Sequence, residues 1–185
     1  MVIRKATLND APAVAACLLL AMESIIYKLI GEEDPLKVQA FLLYFAARAD
    51  NQYSYQNCWV AEVENAVVAA VNVYDGAKLH AHRQPVLAYI KNQFGKDIYP
   101  EDETGAGEYY IDSLGVHPNH QGKGIGSQLL QFLIAEYVTK RGETLGLLVD
   151  EENENAKRLY LRLGFTSAGH KMLLEKRMEH LQITG

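Results

Sequence analysis

Tyr109–Leu130 reads YYIDSLGVHPNHQGKGIGSQLL, a strand-like run that enters a glycine-dense turn and opens into an amphipathic helix. The turn is Gln121, Gly122, Lys123, Gly124, Ile125, Gly126 and Ser127. Glycines at alternate positions leave backbone N–H groups uncovered by Cβ atoms and free to take positive φ, so several donors can converge on one anion. The helix that follows adds the unsatisfied N–H groups of its first turn and the positive end of its dipole, which suits the junction to a phosphate. Lys123 puts a positive charge in the same turn.

Two other glycine-rich phosphate loops fail on spacing. The P-loop needs a glycine where His117 stands and Ser or Thr where Gly124 stands. The dinucleotide fingerprint G-x-G-x-x-G near the start of a βαβ unit is also unmet, because the glycines here are spaced G-x-G-x-G behind a glutamine. On the glycines alone, a merely flexible turn stays open.

The residues downstream narrow the reading. The helix is closed by Lys140, Arg141 and Gly142, and Leu145–Val149 is a short apolar run of strand length, which completes a βαβ unit. A second helix follows, with Asn155 near its start, Ala156, Leu159, Tyr160 and Leu163 on one face, and Gly164 as its stop. Gly164-Phe165 then leads toward another strand. Taken together, Q-x-x-G-x-G after a strand ending in Leu-Gly-Val, then Asn155-Ala156, Leu159-Tyr160 and Gly164-Phe165, resembles the GNAT superfamily of acyl-CoA N-acetyltransferases. The specific motifs cover about Glu108–Phe165, and the order of elements is similar over the rest of the chain.

That resemblance implies an α/β fold in one domain spanning residues 1–185: a central mixed, mostly antiparallel sheet, a parallel β-α-β unit that binds coenzyme A, and flanking helices. It implies acetyl-CoA as cosubstrate, lying in a splayed gap between Tyr109–Val116 and Leu145–Val149. Its pyrophosphate would rest on Gln121, Gly122, Lys123, Gly124, Ile125, Gly126 and Ser127, its pantetheine amides on the strand edge at Leu114, Gly115 and Val116, and Asn155 would be a further contact. An N–H near Leu114 would meet the thioester carbonyl. Tyr160 matches the tyrosine that such proteins use as general acid; a phenol is protonated at neutral pH and can supply a leaving thiolate. A core aromatic is the competing reading of Tyr160.

An alkylamine acceptor must lose a proton before it attacks, so a base is needed. Asp112 is the first choice: it lies on the active-site strand and shares alternation parity with Glu108 and Tyr110. A water relay would serve as well. His117 and His120, in HPNH, mark the turn before the glycines, and neither they nor His80 and His82 complete a metal set; no metal is expected.

Composition is that of an ordinary single domain: 185 residues, 49% hydrophobic and 22% charged. No apolar run is read as long enough to span a bilayer, and the N-terminus lacks a signal-peptide pattern. Cys17 and Cys58 give neither a disulfide framework nor metal spacing, which fits a reducing, cytoplasmic setting. The net charge of −5 leaves no extended basic footprint for nucleic acid. The expected partner is a small-molecule or peptide amine, with no nucleic acid and no membrane; a homodimer is compatible. The expected function is acetyl transfer from acetyl-CoA to a primary amine by direct attack, with a non-catalytic acyl-CoA sensor as the alternative.

Elsewhere the sequence predicts a strand at Val2–Lys5, helices at Ala11–Leu20 and Pro35–Arg48, and a hairpin of Cys58–Val63 with Ala66–Tyr74 around Glu64-Asn65. An insertion at about 75–107 departs from the minimal plan and carries a helix at Gln84–Phe94. Its tail, with Glu101, Asp102 and Glu103, reads as a solvated loop; the functional alternative is that it closes over the acceptor and its carboxylates attract the amine.

Overall fold

Val2–Lys5 forms the first strand (β1) and pairs antiparallel with Cys58–Val63 (β2). β2 turns through Glu64 and Asn65, at φ 51° and 64°, into Ala66–Asp75 (β3). Between β1 and β2 lie two helices. Ala11–Ile30 (α1) has proline in its first turn and ends at Gly31. Pro35–Ala46 (α2) is capped by Asp34, whose carboxylate accepts the Leu36 N–H at 2.9 Å. Leu79–Phe94 (α3) follows β3. The chain then runs through Tyr109–Val116 (β4), Ile125–Leu133 (α4), Leu145–Asp150 (β5), Glu154–Arg162 (α5), Thr166–Leu173 (β6) and Lys176–Ile183 (β7). The computed structural model describes Met1–Gly185.

These strands form one seven-stranded sheet in the order β1-β2-β3-β4-β5-β7-β6, and only the β4–β5 pair is parallel. The result is the mixed, mostly antiparallel α/β domain expected. One face carries α1, α2 and α3 on a core that includes Leu18, Ile26, Phe41, Val60, Ala70 and Ile90. The other carries α4 and α5 on Val71, Ile111, Leu129, Leu133, Leu147 and Phe165. Each large aliphatic side chain fully buried in this way contributes roughly 1.5–3 kcal/mol relative to exposure.

Two sequence expectations change. α1 does not stop at Leu20; it continues to Ile30 with a break at Met22 (φ −137°), and Leu8–Ile30, at mean hydropathy 1.9, is long and apolar enough to cross a membrane by length and composition. In the fold its apolar side is spent on the sheet and on α2: Val14, Leu18, Ile26 and Ile30 are completely buried. The β6–β7 hairpin, of which the sequence signalled only the entry, forms the far edge of the sheet.

α1 lies unusually close to β4. A Cβ on Gly115 would stand 1.8 Å from the Cys17 carbonyl oxygen, so only glycine lets helix backbone and strand backbone meet there.

Candidate active site

β4 organises the site through two irregularities. Opposite β3, Asn72 pairs with Ser113 but Val73 pairs with Ile111, so Asp112 is the extra residue of a bulge. Opposite β5, pairing runs only from Tyr109↔Leu145 to Ile111↔Leu147 and then stops. Beyond Ile111 the two strands splay. The His117 N–H donates to Val68 O of the β3 side at 2.8 Å, so alternation sends the Leu114 and Val116 N–H groups to the open edge. A strand seldom leaves such an edge unpaired inside a sheet without a partner for it. Gly115, between them, faces α1 instead.

The splay opens beside the glycine turn. Gly122 and Gly124 take φ of 73° and 77°, conformations that a side chain would strain, and Gly124 caps α4. The N–H groups of Gly122, Lys123, Gly124, Ile125, Gly126 and Ser127 make no hydrogen bond within the protein. A cleft runs along all of these except Lys123, lined also by Val116, Gln121 and Leu163. Gln121 Nε2 donates to Val116 O at 2.9 Å, which ties the turn to the end of β4. Lys123 folds back onto Asn119 O at 2.9 Å and does not line the cleft. His117 Nδ1 accepts the Asn119 N–H at 3.3 Å, a local turn bond. Converging amides, an uncovered helix N-terminus and no opposing carboxylate fit a pyrophosphate.

Residues that the sequence reading did not single out also line this cleft: Gln131, Leu159 and the exposed, basic Arg162. Arg162 sits two positions past Tyr160 on α5 and reaches the cleft because α4 and α5 lie on the same face of the sheet, a relation with no local signal. Asn155 is exposed, and its Oδ1 accepts from Arg158 at 2.6 Å. The cap of α5 is Asn153, which accepts the Ala156 N–H at 3.1 Å.

Tyr160 packs with Ala156, Leu159 and Leu163 against the sheet, its ring 5.8 Å from that of Phe165. Burial alone pushes its phenol above the ordinary range, with no hydrogen bond contributing, which keeps it protonated.

Asp112 opens onto a second pocket, on the α1–α3 face. As parity required, Glu108, Tyr110 and Asp112 turn to that face, but Glu108 is engaged elsewhere: it accepts from Thr104 at 2.6 Å and Gln182 at 2.7 Å and meets His180 at 2.9 Å. Asp112 has a different companion. Gln52 Nε2 lies 3.0 Å from Asp112 and 2.7 Å from Glu103, and the Tyr74 hydroxyl donates to Glu103 at 3.1 Å. Arg83, itself buried on α3, meets Glu103 at 3.3 Å. Asn72 Nδ2 donates to Asp112 at 3.3 Å. Burial pushes both carboxyls up; for Glu103 the neighbouring Asp112 charge adds to it and Arg83 opposes it, leaving Glu103 at about 7.

Glu103 therefore overturns the reading of its run as solvated: it is 5% exposed and lines the pocket. Its neighbours hold the loop down. Asp102 meets Arg83 at 3.3 Å and Glu101 accepts the Leu174 N–H at 2.9 Å. The remaining walls are apolar, with Met22, Ile25, Leu29 and Ile90 on one side and Leu173 and Leu174 of the β6–β7 hairpin on the other.

Comparison with known proteins agrees with this geometry. Residues 26–165 match the Acetyltransferase (GNAT) family. The chain is 35% identical over 71 residues to the 5-NmdU N-acetyltransferase of Pseudomonas phage PaMx11, covering 38% of this chain and 49% of that protein, so it spans about half the length of that relative. It is 27% identical over 135 residues to a protein of Bacillus subtilis subsp. natto (strain BEST195) named "Probable spermine N(1)-acetyltransferase", covering 67% of this chain and 87% of that one. The crystal structure of an acetyltransferase superposes with a TM-score of 0.79 at 26% identity, covering 100% of this chain and 99% of that one. With a split β4–β5 pair and a free-amide turn already in place, a match over most of the chain settles its kinship: this protein belongs to the GNAT acetyltransferase family.

Proposed function

We propose that the protein transfers an acetyl group from acetyl-CoA to a primary amine by direct attack. The observation that carries this reading is the run of unpaired N–H groups from Gly122 to Ser127 beside the open edge of β4. Acetyl-CoA supplies the activated acetyl group as a thioester; the residues here bind, orient and move protons. Gly122–Ser127, with Gln121, cradle the pyrophosphate, and the Leu114 and Val116 edge takes the pantetheine amides. An N–H near Leu114 stabilises charge on the thioester oxygen, an interaction of a kind worth roughly 2.7–4 kcal/mol.

The acceptor enters as an ammonium and gives one proton to a carboxylate, for which Asp112 is the candidate base. The neutral nitrogen then forms the N–C bond as the C–S bond breaks. Tyr160 donates its phenolic proton to the thiolate, and the second nitrogen proton leaves to solvent as the phenol is restored. No covalent acyl-protein is needed: Cys17 and Cys58 are both buried with thiols pushed up by burial, Cys17 to about 11, so neither suits a nucleophile. The unengaged Tyr160 hydroxyl favours turnover over a purely sensory role.

Calorimetric titration with acetyl-CoA, followed by an assay of CoA release over a panel of amines, tests this. Binding with turnover of at least one amine is expected. Binding without turnover across the panel would select the sensor reading, and no affinity for CoA or its acetyl form would reject both.

A further inference from the structure

The amine has been placed on Asp112 only through its position on β4, yet the pocket around Asp112 constrains what that amine can be. We infer that the acceptor is a small monoamine with a single ammonium group and an apolar alkyl or aryl arm, its nitrogen held at the pocket side of the Glu103–Asp112 pair. This rests on the acetyl-transfer reading above.

Among the groups that line the pocket, two carboxylates face one guanidinium, Arg83, which is already engaged by Glu103, by Asp102 from outside the lining at 3.3 Å, and by the carbonyls of Pro100 and Glu101 at 3.1 Å each. With both lining carboxyls ionised, at least one negative charge is left over, and an ammonium bound there balances it and favours the ionised state. A second cation on the same molecule would have to sit among Met22, Ile25, Leu29 and Leu173, where a buried unpaired charge is costly. Those same walls favour an apolar arm, because each methylene taken from water contributes about 0.8 kcal/mol.

The Gln52 amide and the Tyr74 hydroxyl turn donors on Glu103 Oε1, and Gln52 and Asn72 do so on Asp112, so the two carboxylates are held at fixed positions on opposite sides of one amide. Groups facing Glu103 come from every packed element: Arg83 from α3, Tyr74 from β3, Tyr110 and Asp112 from β4, and Tyr53 ahead of β2. The tyrosines are held protonated by burial, so Arg83 and Asp112 are the charges that matter. With its carboxyl near neutrality, Glu103 can take the ammonium's proton at ordinary pH and pass it on, which makes it a base alongside Asp112.

The test compares kcat/KM of the full chain, from CoA release, for methylamine, hexylamine, phenethylamine and spermidine, with acetyl-CoA binding measured separately by calorimetry. Hexylamine is expected to exceed methylamine by about 100-fold or more, and to exceed spermidine by a similar factor. E103Q is expected to lower kcat for hexylamine at least about 100-fold and to remove the rise in kcat/KM through pH 7, with acetyl-CoA affinity unchanged. If acetyl-CoA binds but spermidine is the better substrate, or if chain length has no effect, the acceptor assignment falls while acetyl transfer stands. An E103Q protein with wild-type kcat and pH profile overturns Glu103 as a base. If acetyl-CoA does not bind at all, both readings fall together.

Discussion

Glu103 and Asp112 share one donor: the Gln52 amide nitrogen lies 2.7 Å from the first carboxylate and 3.0 Å from the second. Two like charges gathered on one amide, away from water, raise each other's proton affinity on top of what burial does. Placed in the fold by residues as far apart as Arg83 on α3 and Tyr74 on β3, the pair is a local cost that the rest of the core must offset.

That cost has a measurable sign. Glu103 binds its proton more tightly folded, at about 7, than unfolded, so the native state holds more protons between the ordinary carboxylate range and pH 7. Stability therefore falls as pH rises through that window. Urea unfolding at pH 5 and pH 8 should show the wild type losing roughly 1–3 kcal/mol relative to E103Q across the interval. Parallel pH dependence in the two proteins would refute the raised carboxyl.

Glu108 behaves in the opposite sense. Burial alone would raise its carboxyl, but hydrogen bonds from His180, Gln182 and Thr104 together hold it below the ordinary range. Its contribution is complete above the unfolded carboxyl value and is lost as pH falls through the lower folded one. E108Q should be less stable than wild type at pH 7 by roughly 1–3 kcal/mol, and the gap should close in acid. A gap that widened toward low pH would contradict the assignment.

Tyr160→Phe keeps the packing against Phe165 and removes only the hydroxyl. Turnover should drop by about 10²–10⁴-fold while the thermal midpoint stays within a few degrees. Full activity in this variant would exclude the phenol as proton donor and return Tyr160 to the core.

Gly115→Ala puts a methyl 1.8 Å from the Cys17 carbonyl oxygen, where neither backbone can yield cheaply. A loss of roughly 1–3 kcal/mol or more is expected. Gly126→Ala is the control, since its Cβ would meet Leu114 Cδ2 at 3.4 Å, an ordinary contact, and should unfold much as wild type. Equal stability of the Gly115 variant would mean that α1 and β4 are farther apart than described.

What the sequence made legible was local. The turn from Gln121 to Ser127 is written in consecutive residues, and the parity that set Asp112 on the same face as Tyr110 holds because the bulge falls at Asp112 itself, after the counting is done. What it hid was set by distant contacts. Glu103 stands in a run of acids that reads as solvated, and contacts with Arg83, Gln52 and Tyr74, all distant in sequence, hold it in the interior. The β6–β7 hairpin lacked a signal because its turn uses Leu174 and Glu175 at φ 48° and 67° in place of asparagine and glycine. That strained tip lies where Leu174 lines the pocket of Glu103 and Asp112 and its N–H reaches Glu101. Asn155 was assigned to the cofactor by resemblance, and the cap of α5, which the sequence reading did not name, is Asn153.

The most direct measurement is backbone amide hydrogen exchange with and without coenzyme A. The N–H groups of Gly122–Ser127, together with Leu114 and Val116 on the open edge of β4, are expected to become protected when coenzyme A is added. Binding that left these amides exchanging as freely as before, with protection elsewhere, would contradict the proposed coenzyme A site.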